Sequence, residues 1–162
     1  MPLVWESPDG QQRFALTVLG YEFPEGAEDY YDANWLLVRI VARDGATTWT
    51  VDDPALLTWE LDRLARWLER VAQGQGDRQP WCSFVEPNLE FRADPLPEAP
   101  GAAAGDRVQI RVFFELELRP PGRPTQAVGQ RDVYLTFCLS RDQLLASARA
   151  LREDARAFPV RR

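Results

Sequence analysis

The run Arg107–Arg119 limits the fold more than any other stretch. Val108, Ile110, Val112, Phe114, Leu116 and Leu118 alternate there with Gln109, Arg111, Glu115 and Glu117. A period of two sends alternate side chains to opposite faces of an extended strand, so one face belongs to a core and the other is mostly wet. Shorter runs of the same kind surround it. Gln12–Leu19 reads as a strand with Phe14, Leu16 and Val18 on one face. Asn34–Arg43 is apolar on both faces over Trp35–Ile40, which suits a central strand, and Asp44–Gly45 turns it into a partner over Thr47–Val51. Trp81–Glu86 and Leu89–Arg92 form a short hairpin turning at Pro87–Asn88, and Val133–Leu139 reads as the last strand.

Two segments follow the helical period instead. In the first, Asp53 caps, Pro54 occupies the first turn and Gly74 lies just past the end. Leu57, Leu61, Leu64, Ala65, Leu68 and Val71 form its apolar stripe, flanked by Trp59 and Trp67, and Asp62 can pair with Arg66 across one turn. In the second, Ser140 and Gln143 make a capping box, Leu139 can staple to Leu144, and Phe158–Pro159 ends the helix. Residues 94–106, rich in Pro, Ala and Gly, read as a mobile loop, and Pro120–Gln130 as a second loop. The strands come in hairpins and do not alternate with helices. The expected fold is a single α+β domain over residues 1–162: a twisted, mostly antiparallel sheet with two main helices packed on one face.

Composition then narrows the chemistry. The 162 residues contain no histidine, and all 19 basic residues are arginine. Ser–His–Asp and Cys–His catalysis, Schiff-base lysines and histidine-ligated zinc are therefore excluded. Cys82 and Cys138 are far apart and sit in apolar runs, as buried thiols do. No cofactor, metal site or catalytic residue is expected. With no apolar run near the ~20 residues of a membrane span, and no signal-peptide pattern at the start, the chain reads as cytoplasmic, with no membrane partner. Net charge is −6, which disfavours nucleic acid and favours a basic protein partner.

The stretch Tyr21–Trp35 is the leading candidate for that contact. Glu22, Glu25, Glu28, Asp29 and Asp32 interleave with Tyr21, Phe23, Tyr30, Tyr31 and Trp35, and no basic residue occurs between Arg13 and Arg39. Acidic groups steer a cationic partner, and tyrosine and tryptophan supply rigid anchor area. The alternative role for this stretch is a solvated loop whose aromatics fold back over the core. Phe113, an aromatic among the charges of the long strand, marks a second candidate contact; it can equally be core. Glu115 and Glu117, at i and i+2 on one strand face and so roughly 7 Å apart, could serve as an acid/base pair. Cross-strand pairing with Arg111, Arg119 or Arg131 is the ordinary use of such residues.

Several landmarks run in order: GYEFP at 20–24, DANWLLVRI at 32–40, DPALLTWELDRLARWLE at 53–69, FVEPNLEF at 84–91, VFFELELRPP at 112–121 and AFP at 157–159. Together they resemble the bacterial WapI-type immunity proteins over nearly the whole chain, outside the loops at 94–106 and 120–130. The resemblance implies a cytoplasmic protein without catalytic residues that binds and neutralises the C-terminal domain of a polymorphic or contact-dependent toxin, often a nuclease. The competing expectations are a non-enzymatic regulatory or ligand-binding module and, more distantly, a carboxylate enzyme built on Glu115 and Glu117.

Overall fold

The computed structural model describes residues 2–96, 107–123 and 129–162. Most of the expected 94–106 loop, and residues 124–128 of the second, lie outside them. Among the described residues, eight strands form two antiparallel four-stranded meanders. The first contains β1 (Leu3–Glu6), β2 (Gln12–Tyr21), β3 (Trp35–Asp44) and β4 (Thr47–Leu57), in that spatial order. The second contains β5 (Trp81–Ser83), β6 (Leu89–Pro95), β7 (Arg107–Phe114) and β8 (Tyr134–Ser140), also in order. Between β2 and β3 lies a one-turn helix, α1 (Tyr30–Asn34); α2 (Thr58–Ala72) joins the two sheets and α3 (Arg141–Ala157) follows β8. The class is α+β, but the sheet is two sheets rather than one. The chain leaves the first at β4 and spends a helix before pairing again, so β4 and β5 never meet.

One core runs through both sheets and both long helices. Its centre is aromatic. Trp5 and Phe14 from the first sheet meet Phe91 from the second at 5.8 and 6.0 Å between ring centroids, both edge-on. Phe114 closes against Phe14 and Trp49 in tilted and edge-on geometry. Such pairs add about 0.5–1.5 kcal/mol each beyond the area they bury. The indole N–H groups are also satisfied: Trp5 donates to Ser147 Oγ at 2.8 Å and Trp49 to the Leu118 carbonyl at 3.0 Å.

Helix α3 begins as expected, with Ser140 Oγ accepting the Gln143 N–H and Gln143 Oε1 accepting the Ser140 N–H. Arg152 forks onto the Glu69 carboxylate at 2.8 and 2.9 Å and reaches Asp62, tying α3 to α2. The Asp62–Arg66 pair forms at 3.1 Å.

Helix α2 starts four residues later than expected, capped at Leu57 instead of Asp53. Asp53 pairs with Val38, and Leu56 with Leu36, so β4 continues through the expected cap. Pro54 and Ala55 are the extra residues of a bulge opposite Leu37. β4 is an edge strand, so the proline costs no ladder hydrogen bond there. The helix instead begins after Leu57, whose N–H is taken by Glu60 Oε1 at 3.1 Å. β7 likewise stops at Phe114, not Arg119. Leu116 turns the backbone to φ +50°, and Leu116–Leu118 form a short 3₁₀ turn that still buries Leu118. Strand β3 begins at Trp35, because Asn34 closes α1.

Candidate partner-binding face

The segment from Tyr21 to Trp35 crosses between two central strands and is pinned from inside. Asp29 Oδ1 caps α1, accepting from the N–H groups of Tyr31 and Asp32 at 2.9 and 3.0 Å. Asn34, fully buried, donates to the carbonyls of Tyr30 and Arg161 and accepts from the Arg161 N–H and the Thr58 hydroxyl. Residues 158–161 thus run beneath the segment as a strap. Phe158 meets Tyr21 edge-on, the Tyr21 hydroxyl donates to the Pro159 carbonyl at 2.6 Å, and Arg161 donates to the carbonyls of Phe23 and Pro24.

What the segment presents outward is aromatic and acidic. Tyr30 and Tyr31 are about half exposed, at 49% and 51%. Tyr30 stacks on Trp59 of α2 at 5.4 Å with an 11° tilt, and Tyr31 meets the same indole edge-on at 5.6 Å. Phe23, Glu25, Glu28, Asp29 and Asp32 are exposed. Tyr21 and Glu22 are half-buried. Burial raises the Glu22 pKa first, and the neighbouring charges of Asp32 and Asp53 raise it further. The acidic and aromatic groups of 21–32 thus lie on one segment, with Tyr30, Tyr31 and the carboxylates from Glu25 to Asp32 exposed. Trp59, read from sequence only as a flank of the α2 stripe, joins these rings.

Phe113 differs. It is only 3% exposed, covered by Trp81 at 5.5 Å and Tyr134 at 5.3 Å between centroids. The expectation of an exposed apolar spot at Phe113 is corrected: rings from β5, two strands away, and from the adjacent β8 close over it. Around them Arg111 lies over Phe113 and Tyr134, and Arg92 and Arg131 lie over Trp81. Asp94 pairs with both Arg92 and Arg111.

Glu115 and Glu117 do not share a strand face, because the chain turns between them. Glu115 is buried, accepts the Arg131 N–H at 2.8 Å and lies 3.6 Å from Arg119. Glu117 is exposed and accepts from the Asn88 amide. Among the described residues, no group of three or more His, Cys, Asp or Glu side chains is placed to hold a metal ion. Cys82 and Cys138 are free thiols, the first buried and the second half-buried. No described helix is long and apolar enough to cross a membrane. A cavity of about 280 Å³ lies between the end of α2 and β6–β7, lined by Val71, Ala93 and Val108 among others. It falls just short of the usual range for small-molecule sites.

Ion pairing is uneven over the described surface. Glu6, Asp52, Asp62, Glu69, Glu90, Asp94 and Asp132 are all paired with arginines. The carboxylates of the 22–32 segment, with Asp53, Glu86 and Glu117, have no arginine partner among the described residues. No curated protein matches the chain. The family model described as the immunity protein WapI-like family matches residues 5–159, and the chain belongs to that family.

Proposed function

We propose that this chain is a cytoplasmic immunity protein that binds a basic toxin domain, most readily a nuclease, and blocks it by steric and electrostatic plugging. Family membership supports a toxin as the partner. The single observation that carries the choice of surface is the segregation of charge. The carboxylates in and beside the Tyr30–Tyr31–Trp59 cluster form the longest run without an arginine partner among the described residues, whereas many others, such as Asp52, Glu69 and Asp94, are neutralised by arginine and only scattered ones, such as Asp9, Asp77 and Asp142, are not. A nuclease must expose cations to hold its phosphate substrate, so an acidic protein fits over that surface and excludes the nucleic acid. Asp29 and Asn34 hold the segment in one conformation before contact, which lowers the ordering cost of association.

The test is neutralisation. The protein is co-expressed with the toxin domains encoded beside its gene, and growth and RNA integrity are scored. Rescue is expected, and it should disappear in a Glu25→Arg/Glu28→Arg/Asp32→Arg variant that keeps the Asp29 cap. Rescue that survives the triple reversal would remove this segment from the interface. Failure to rescue any such domain would overturn the immunity reading itself.

A further inference from the structure

Three elements that are distant in sequence bring polar groups to one point. Asn88, in the β5–β6 turn, donates from one amide nitrogen to Asp53 Oδ2 at 2.8 Å and to Glu117 Oε2 at 3.1 Å. Asp53 comes from the β4 bulge and Glu117 from the 3₁₀ turn after β7. A neutral amide holds two carboxylates together without offsetting their charge. Asn88 is 1% exposed, and its Oδ1 is buried with no hydrogen-bond partner among the described residues. What the cluster leaves toward solvent is carboxylate oxygen, from exposed Glu117 and half-buried Asp53. Such a constellation fits a donor-rich cation.

The cluster lies within electrostatic reach of the acidic aromatic face. Glu22 interacts electrostatically with both Asp32 and Asp53, and Asp53 in turn with Glu117 and Glu86. Val85, the residue before Glu86, is 62% exposed and donates its N–H to Glu60, which follows Trp59 in the chain. Apolar groups therefore lie beside a rim of carboxylates, as in interfaces built on a few anchors.

Resting on the immunity reading above, we propose that the docking face extends across the β4 bulge to Asp53, Asn88 and Glu117, and that this notch receives an arginine of the basic partner. A guanidinium offers five donors in a planar fork and is less strongly hydrated than an ammonium, which suits two adjacent carboxylates. A bound divalent ion is the less favoured occupant, because three carboxylates are not brought together here. The isolated fold also bears a cost at this point. Burial raises the Asp53 pKa; the Asn88 hydrogen bond opposes that, and the charges of Glu117 and Glu86 add to it.

The test uses Asp53→Asn and Glu117→Gln, singly and together, since each keeps an oxygen for the Asn88 amide. The probe is the toxin domain that the wild-type protein neutralises, with affinity measured by calorimetry at low and moderate salt. The expected result is a loss of about tenfold or more in the double variant, with a flatter salt dependence and a melting temperature equal to or above wild type. Unchanged affinity in a protein that still neutralises would overturn the notch and leave the immunity reading standing. A lowered melting temperature accompanying the loss would make the cluster a structural brace and overturn the proposal. So would a rise in wild-type melting temperature with MgCl₂ or CaCl₂ that Asp53→Asn abolishes. If no toxin domain is neutralised by wild type, both readings fall together.

Discussion

Arg161 lies over the ring of Tyr21, 3.4 Å from its centroid, while its two terminal nitrogens donate to the carbonyls of Phe23 and Pro24 at 2.9 and 2.8 Å. One side chain thus fixes the end of β2 and the first turn of the acidic segment. Arg161→Ala should loosen that segment without unfolding the core. Amide exchange at Glu22–Gly26 should speed up by an order of magnitude or more, while exchange in β3 stays at its wild-type rate. Equal protection in both proteins would show that the strap does not hold the segment.

Trp59 joins α2 to α1 through stacked and edge-on contacts with Tyr30 and Tyr31. Trp59→Ala should lower stability by only about 0.5–1.5 kcal/mol, because the cluster is largely at the surface. Its effect on partner affinity should be larger, at about 2 kcal/mol or more, as for other aromatic anchors. Urea denaturation and calorimetric titration separate the two effects.

Stability should depend on pH in two opposite ways. The Asp52, Glu69 and Asp132 pKa values are lowered, chiefly by hydrogen bonds from Arg39, Arg152 and Arg119. For Asp94, burial acts upward, but hydrogen bonds from Arg111 and Arg92 win. These groups stabilise the fold above their ordinary values of 3.8 and 4.5, and that stability is lost as pH falls through the depressed values. Asp53 has the opposite sign. Its raised value penalises the charged form, so its contribution is present below 3.8 and lost as pH rises through the raised value. Asp53→Asn should therefore melt higher than wild type at pH 7, with the difference shrinking as pH falls toward 3. Thermal melts across that range check the slope.

The two thiols should differ in reactivity. Burial pushes the Cys82 thiol up to about 12, whereas Cys138 on β8 is half-buried. A thiol reagent at pH 8 should modify Cys138 first and reach Cys82 only on unfolding. Mass spectrometry of partly labelled protein identifies the order.

Much of this architecture could be read from side-chain periodicity. The strands at Gln12–Leu19 and Val133–Leu139, and the helix capped by Ser140, depend on local pattern and local hydrogen bonds, and they formed close to where that pattern put them. The errors arose where tertiary pairing overrode a local signal. Asp53–Pro54 has the chemistry of a helix start, yet pairing with Val38 keeps it extended. The alternation over 107–119 continues past Phe114, but Leu116 leaves the strand and Leu118 fills the core from a turn. β1 and α1 were too short to show a period. In the site, the charges of 22–32 were visible as composition. Trp59, Asp53 and Asn88, which the proposals add, could not be read there, because their contacts with Tyr30, Tyr31 and one another exist only in the folded chain.

The residues proposed to meet a partner and those that hold the core are separated along the fold. Glu25, Glu28, Asp32 and Glu86 lie on connections at the ends of strands, while the fold rests on Trp5, Phe14, Phe91 and Phe114 between the sheets. Substitution at the first group leaves the second untouched. A scaffold divided in this way can be readdressed from one cognate to another by drift in its connecting turns, with no intermediate that must pass through an unstable fold.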